Sequence, residues 1–351
     1  MTLLVTGGAG FIGSHFILEW FNHNQETVLN LDALNYAGNM ANLAPLKQDA
    51  RHRFVHGDIR DRDLLAQVLA DHRPRALVHF AAQTHVDRSI DDPTAFIQTN
   101  VDGTGVLLEA CRHYWSALPE DERASFRFLH ISTDEVYGSL SLTADAATEA
   151  HPYRPSSPYS ASKAASDHLV MAWHRTYGLP VLISHCSNNY GPHQFPEKLI
   201  PLFLANALAG KSLPLYGNGL QQRDWLYVSD HCTALRMLLA DGRPGQRYNI
   251  GSGTETSNLE IALTLCALLD QRRPRTDGRP YAEQIRHVAD RPGHDMRYAL
   301  DTRKIQQQLG WKAKIPLHDG LATTVDWYLT NPAWSPLAIS TETPAWREHR
   351  P

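Results

Sequence analysis

Tyr159 and Lys163 close the run Tyr-Ser-Ala-Ser-Lys, and residues at i and i+4 of a helix share one face. An ammonium on the same face as a phenol would stabilise the phenolate and lower a pKa that is ordinarily about 10. Beside a nicotinamide, such a phenolate is a base for an alcohol undergoing oxidation. A second group, Thr133-Asp134-Glu135, ends an apolar run and offers a hydroxyl and two adjacent carboxyls. Neighbouring like charges push their pKa values apart, so one carboxyl can stay protonated while the other ionises, as an acid and a base require. Each pattern also has a plain structural counterpart. A YxxxK pair is often a half-buried tyrosine beside a solvated lysine, and Asp-Glu after a strand is often a helix cap followed by a solvated charge.

A third pattern raises the value of the first two. In Thr6-Gly-Gly-Ala-Gly-Phe-Ile-Gly13, Gly8, Gly10 and Gly13 fit GxGxxG between an opening strand and a helix expected to begin near Ser14. Such a loop gives a tight turn, a backbone that can approach a pyrophosphate, and a helix N-terminus facing the anion. Gly7, Gly10, Phe11, Ile12 and Gly13 are its candidate cofactor contacts. Asp32 ends the next expected strand, where a carboxylate accepts hydrogen bonds from adenosine ribose hydroxyls, favouring NAD over NADP. Asp58 and Ile59, placed at the close of the third strand, suit the adenine edge and face, or equally a helix cap and a core residue.

These groups need a scaffold. Short β-type runs at 3–6, 27–31, 54–56, 76–80, 126–132 and 181–185 alternate with helical stretches and are each followed by a loop carrying Gly, Asp, Ser or Asn. The pattern predicts an α/β fold with a doubly wound parallel sheet, a Rossmann-type NAD domain whose ligands gather at the carboxyl ends of the strands. Residues 1–189 are assigned to it, with returning segments near 222–252. From 190 the alternation weakens, and 190–351 are read as an interleaved, smaller mixed α/β substrate lobe ending in a tail from Asn331 that packs loosely over the surface. Hydrophobic residues are 42% of 351, ample for such a core, and a net charge of −4 with interspersed signs argues against nucleic-acid and anionic-membrane partners. No apolar stretch approaches the roughly 20 residues of a membrane span, and the chain opens directly into a strand pattern, so a cytoplasmic location is expected. Cys111, Cys186, Cys232 and Cys266 form no CxxC pair and are read as reduced, buried thiols. The histidines show no ligand spacing, so no metal is expected.

With these motifs in place the chain resembles the extended short-chain dehydrogenase/reductases and, within them, the nucleotide-sugar 4,6-dehydratases acting on dTDP-glucose. The resemblance runs from the first strand to about Trp327, through TGGAGFIG at 6–13, HVDRS at 85–89, STDEVYG at 132–138, YSASK at 159–163, SNNYGPHQFPEKLIP at 187–201, QRDWLYVSDH at 222–231 and DRPGHDMRY at 290–298. Nucleotide-sugar 4-epimerases share the glycine motif and YxxxK but normally lack the Asp-Glu pair. The resemblance implies that Tyr159 takes the proton of the sugar C4 hydroxyl, with Lys163 stabilising the phenolate and Thr133 bonding the oxygen. It further implies that Glu135 removes the C5 proton and Asp134 protonates the departing C6 hydroxyl. NAD is returned unchanged, and the 4-keto-6-deoxy product feeds deoxysugar biosynthesis, rhamnose included.

The same resemblance adds Ala81, Thr99 and Asn189 to the cofactor contacts. It assigns the nucleotide sugar to Thr84, Thr133, Asn188, Lys198, Leu199, Pro214, Tyr216, Arg223, Asn258, Arg291 and His294, with Arg223 and Arg291 as diphosphate clamps because a guanidinium forks onto phosphate oxygens. It implies a homodimer through helices near 99–114 and 159–177, where Val101, Leu108 and Val170 suit either an interface or a core. Three departures stand out. Gln83-Thr84 replaces the usual Glu-Ser, His185 stands where Arg is expected, and His193 where Tyr is expected. A 4-epimerase, a dehydratase using UDP-glucose and a non-catalytic NAD-binding module are the competing readings.

Overall fold

The computed structural model describes residues 1–334. Its strands are β1 (Thr2–Thr6), β2 (Thr27–Asp32), β3 (His52–His56), β4 (Ala76–His79), β5 (Arg127–Thr133), β6 (Val181–Cys186), β7 (Asn188–Tyr190), β8 (Leu213–Tyr216), β9 (Gln222–Tyr227), β10 (Gln246–Ile250), β11 (Glu255–Ser257) and β12 (Ile285–Val288). The helices are α1 (Phe11–His23), α2 (Arg62–His72), α3 (Val86–Asp91), α4 (Pro93–Phe96), α5 (Thr104–Ser116), α6 (Glu120–Ser125), α7 (Pro158–Tyr177), α8 (Leu199–Leu208), α9 (Val228–Asp241), α10 (Asn258–Arg272), α11 (Arg303–Leu309) and α12 (Leu317–Thr330).

Seven strands form one parallel sheet in the order β3-β2-β1-β4-β5-β6-β10. The order reverses between β1 and β4, and the loops after their carboxyl ends open a crevice there, as in doubly wound sheets. The central strands are apolar on both faces because both are covered. One face packs α1, α9 and α11 through Phe16, Ile17, Leu235, Leu238 and Ile305. The other packs α2, α5 and α7 through Leu65, Leu69, Leu107, Leu108, Val170 and Met171. Burying each of these side chains contributes about 1.5–3 kcal/mol.

The smaller lobe holds a three-stranded sheet, β11-β9-β7, and a pair, β12-β8, over a separate core containing Tyr190, Phe203, Leu204, Ile261 and Leu265. Its interleaving differs in detail from the sequence reading. Residues 222–227, expected to return to the NAD domain, are strand β9 of the small sheet, while α9 and β10 do return. The small sheet already begins at β7, and α11 in the C-terminal part packs under the large sheet. Of the tail, 331–334 are described: a 3-10 turn, Pro332–Trp334, lays Trp334 against His193, ring centroids 5.2 Å apart, a packed contact where loose packing was expected. The rest of that expectation lies outside the described residues. Among the described residues no helix is long and apolar enough to cross a membrane.

Candidate active site

The crevice is a cleft of about 370 Å³, within the range of small-molecule sites. Its floor is the loop from β1 to α1. Gly7 adopts φ +74°, and a Cβ there would lie 2.5 Å from the Ala81 nitrogen. A Cβ on Gly13 would lie 2.3 Å from the Gly7 carbonyl oxygen, so both positions exclude side chains. Gly8 plays another part. It does not line the cleft, and its Cβ would meet Asn30 Oδ1 at 2.3 Å and Ile17 Cδ1 at 2.5 Å. The cleft-lining glycines are therefore Gly7, Gly10 and Gly13, and the GxGxxG reading through Gly8 is corrected. Gly10 is the cap of α1, which begins at Phe11 and not near Ser14, so the first-turn amides of α1 stand directly over the cleft.

Asp32 accepts hydrogen bonds from Ala9 N and Leu34 N, both 2.8 Å, and presents a fixed, buried carboxylate on the cleft wall. Asp58 and Ile59 also line the cleft but lie past the end of β3. Asp58 is not a helix cap, since Asp61 caps α2 by accepting from Leu64 N, 3.0 Å; Asp58 instead pairs with Arg60, 2.7 Å. Arg60, unassigned in the sequence, lines the cleft too. Ile59 is both a wall residue and part of the core. Thr99 reaches the cleft from a π-helical turn, Ile97–Gly103, just before α5. Such a turn frees backbone groups, and here the Asn100 carbonyl accepts from Ser166 Oγ at 2.6 Å while the Asn100 side chain clamps Gln83 N and O, 2.8 and 3.0 Å. Nothing in the sequence marked Asn100. Asn189 lines the cleft with Oδ1 held 2.9 Å from His231 Nδ1. A glycine floor no side chain can fill, a helix N-terminus, a buried carboxylate on the wall and apolar walls suit a dinucleotide, so the residues present fit NAD.

The carboxyl pair is placed by β5. Thr133, the last strand residue, caps the 3-10 turn Asp134–Tyr137 by accepting from Glu135 N, and donates to Asp134 Oδ1 at 3.2 Å. Burial, Glu135 and Asp224 push Asp134 well above the ordinary carboxyl range, and its Oδ2 has no hydrogen-bond partner among the described residues. Burial raises Glu135 as well, but Arg291, Lys198 and Arg223 oppose the rise. Burial thus favours the protonated form of both acids, most strongly for Asp134, while three cations favour the ionised form of Glu135.

Helix α7 is fixed at its start by Pro158 and the Ser157–Ser160 capping box, and at its end by left-handed Gly178. This puts Tyr159 and Lys163 on the cleft wall with Thr133, whose side chain is hydrogen-bonded to the phenol. The expected lowering of Tyr159 by Lys163 is corrected. Burial, helped by Glu135 and Cys186, pushes the phenol well above 10, and the ammonium donates to the Ile131 carbonyl at 2.7 Å. Burial brings Lys163 itself down to about 8.

Of the substrate candidates, Thr84, Thr133, Asn188 and Lys198 line the cleft; Leu199, Pro214, Tyr216, Arg223, Asn258, Arg291 and His294 do not. Leu199 opens α8, Pro214 pairs in the β8-β12 ribbon, and Asn258 opens α10 behind Gln221. Tyr216 and Arg291 converge on Asp87, 3.0 and 3.2 Å, and His294 packs on the Tyr216 ring while its Nδ1 lies 2.6 Å from Asp290. Arg223 gives Nη1 and Nη2 to the Gln222 and Asp295 carbonyls, both 2.8 Å, and stacks over Tyr298. The mouth is spanned by a clasp. Tyr36 lies under Arg88, 3.9 Å from the ring centroid, and edge-on to Phe195 at 5.5 Å; Arg88 reaches Glu197 at 3.4 Å, and Lys198 donates to the Thr84 carbonyl at 2.9 Å. Arg88, Phe195 and Glu197 stand inside HVDRS and FPEK, but only their meeting in space gives them a role.

Compared with known proteins, residues 4–324 match the family model described as GDP-mannose 4,6 dehydratase. The chain is 60% identical over 333 residues to a dTDP-glucose 4,6-dehydratase of Xanthomonas campestris pv. campestris, covering 95% of this chain and 94% of that one. It is 54% identical over 342 residues to dTDP-glucose 4,6-dehydratase 1 of Escherichia coli K12, with the same coverage. Among solved structures it is similar to DesIV, a dTDP-glucose 4,6-dehydratase of Streptomyces venezuelae with NAD bound, at 49% identity and TM-score 0.86 over 95% of this chain and 98% of that one. The UDP-glucose 4-epimerase of Thermus thermophilus, in complex with NAD, is similar at 30% identity and TM-score 0.81 over 94% and 99%.

Proposed function

Because the chain belongs to the dTDP-glucose 4,6-dehydratase family, we propose that it holds NAD and converts dTDP-glucose to dTDP-4-keto-6-deoxyglucose by removing water across C5 and C6. The observation that carries this reading is the Asp134–Glu135 pair, two consecutive carboxyls on the same cleft wall as Tyr159. Overall fold cannot carry it, since an epimerase superposes nearly as well. NAD, when bound, supplies a reversible two-electron store between oxidation at C4 and reduction at C6. Tyr159, ionised beside Lys163 and the positive charge that a bound nicotinamide would bring, accepts the C4 hydroxyl proton, and Thr133 holds that oxygen. The C4 ketone acidifies C5, Glu135 takes the C5 proton, and Asp134 gives its proton to the departing C6 hydroxyl. Glu135 then returns a proton to C5. The balance leaves one proton in excess on Tyr159 and one missing from Asp134; Thr133, bonded to both side chains, is the short path that closes the cycle. Lys198, Arg291 and Arg223 supply positive charge near a diphosphate and near Glu135.

The protein purified without added NAD is expected to convert dTDP-glucose to a product lighter by one water, read by mass spectrometry. Loss of water from UDP-glucose alone would move the donor, and an unchanged mass with galactose on hydrolysis would make the protein an epimerase. Tyr36→Ala, which opens the clasp, should release NAD about tenfold faster, the equivalent of roughly 1.4 kcal/mol for one cation–π and one aromatic contact. NAD remaining after gel filtration measures it, and wild-type retention would leave the clasp without that role.

The unpaired, buried cysteines and a freely diffusing nucleotide-sugar substrate support a cytoplasmic enzyme serving deoxysugar synthesis, rhamnose among the products. Homodimerisation through α5 and α7 would use the half-exposed Gly105, Leu169 and Trp173, because Leu108 and Val170 are fully buried in the core.

A further inference from the structure

Behind the cleft, under Lys163, lies a buried polar cluster that the proton transfers above do not use. Asp167, one helical turn beyond Lys163 on α7, is fully buried. One of its oxygens, Oδ2, accepts from Ser132 Oγ at 2.9 Å and Tyr153 Oη at 2.9 Å and lies 3.1 Å from His185 Nε2. The other, Oδ1, is 3.3 Å from His130 Nε2, and that same nitrogen is 3.5 Å from Lys163 Nζ. A carboxylate taken out of water is costly unless its lone pairs are met. Here donors from β5, β6 and the loop before α7 meet those of Oδ2, and His130 stands 3.3 Å from Oδ1. Burial works to raise Asp167, yet the hydrogen bonds from His130 and His185 outweigh it and hold the carboxyl ionised. Burial also keeps His130 neutral, at about 4. The carboxylate of Asp167 is therefore a buried negative charge one helical turn from the ammonium of Lys163.

We propose that Asp167 is a positioning residue for Lys163, its buried carboxylate, across His130 from the ammonium, supplying the negative charge that holds Lys163 in its cationic form at the cleft wall. The proposal rests on the dehydratase reading of Lys163, although its principal measurement does not. Burial pulls Lys163 down, and Asp167, ahead of Cys186, pushes it back up. The titratable groups around Lys163 are Tyr159 and Asp167 on α7, His79 on β4, His130 on β5, Cys186 and His185 on β6, and Asp134, Glu135 and Tyr137 in the turn after β5. Tyr153 and Arg247, stacked 5.1 Å apart, close the cluster outside. His79 is engaged with Thr6 and Thr104 and burial keeps it neutral, and burial raises the Cys186 thiol to about 12, so neither is a charged alternative.

The sign follows from charge. Removing an anion near a cation lowers the cation's pKa, so the deprotonation of Lys163 moves to lower pH. In NAD-loaded protein with 13C-labelled lysine, the Lys163 Cε resonance, assigned by its loss in Lys163→Met, should titrate about one pH unit lower in Asp167→Asn than in wild type. The alkaline limb of kcat against pH should shift in the same direction. His185→Arg, which sets a cation against the same carboxylate while leaving it in place, should also shift the titration down, and it serves if Asp167→Asn does not fold. Tyr153→Phe removes a hydrogen bond but no charge, so it should lower thermal stability and leave the titration where it was. An unmoved Lys163 in either charge variant, or an equal shift in Tyr153→Phe, overturns the proposal. Because the resonance needs no substrate, a failure to turn over dTDP-glucose would count against the dehydratase reading alone.

Discussion

Glu135→Gln is expected to lose about 10³-fold in kcat for water loss from dTDP-glucose, within the range ascribed to a positioned general base. The amide keeps the size and hydrogen-bonding reach of the carboxyl but cannot take a proton from C5. The KM for dTDP-glucose should change by no more than about threefold, because an interaction made only in the transition state affects kcat and kcat/KM alike. The decisive reading is deuterium at C5. Wild type working in heavy water should place solvent deuterium there, and Glu135→Gln should not. Asp134→Asn should separate the steps the other way, with C5 exchange retained and water loss blocked, since the base survives and the acid does not. The pH dependence has a definite sign as well. Glu135 must be ionised to act, and burial raises it above the ordinary carboxyl range, so activity falls as pH drops through that raised value. That acid limb should vanish from the residual activity of Glu135→Gln. A variant that dehydrates at the wild-type rate would remove Glu135 from the chemistry and leave the C5 proton to another base.

How much of this was legible before the fold depends on the range of the interaction. Local patterns read well, since strand runs with a period of burial, a glycine loop between strand and helix, and Thr-Asp-Glu at a strand end all declare themselves within a few residues. Where the reading slipped, a distant partner decided the outcome. Gly8 fits the motif, but Asn30 on β2 and Ile17 on α1 dictate why it is glycine. Tyr159 and Lys163 do share a face, but the Ile131 carbonyl at the end of β5 claims the ammonium and burial governs the phenol. His185, noted in the sequence only as a departure, becomes a partner of Asp167 once β6 pairs with β5 and α7 crosses them. His193 takes a left-handed conformation, φ +64°, and lies against Trp327 and Trp334, contacts no local spacing announces. The clasp of Tyr36, Arg88, Phe195 and Glu197 draws on three separate stretches of chain in the same way.

Fold similarity to both dehydratases and epimerases has a physical reading. In the proposed reaction the glycine floor, Asp32, Tyr159 and Lys163 would serve the oxidation at C4 that both reactions share, and the sheet that positions them is common to both. The added requirement for dehydration is a base for C5 and an acid for the C6 oxygen. A strand that stops at Thr133 and turns at once into a 3-10 helix delivers two consecutive carboxyls to one wall without altering the scaffold.

Tyr159→Phe gives the second large effect, and it separates the order of steps. Phenylalanine keeps the ring and its edge-on packing against Phe96, so the fold and the retained NAD should both survive. What is lost is the oxygen that accepts the C4 proton. In the protein alone that oxygen holds its own proton tightly, raised by burial and by Glu135, with the Thr133 hydrogen bond among the few influences opposing the rise. Oxidation at C4 therefore depends on a phenol oxygen and nearby positive charge acting together, and a hydrocarbon ring cannot substitute. Turnover of dTDP-glucose should fall by about 10³–10⁴-fold, and C5 deuterium exchange should disappear with it, because C5 is not acidic until C4 is a ketone. Supplied instead with the preformed 4-keto sugar nucleotide, Tyr159→Phe should recover C5 exchange through its intact Glu135, while Glu135→Gln should not. If Tyr159→Phe exchanged C5 starting from dTDP-glucose itself, oxidation at C4 would not require Tyr159, and the proton assigned to it would have to leave by another group.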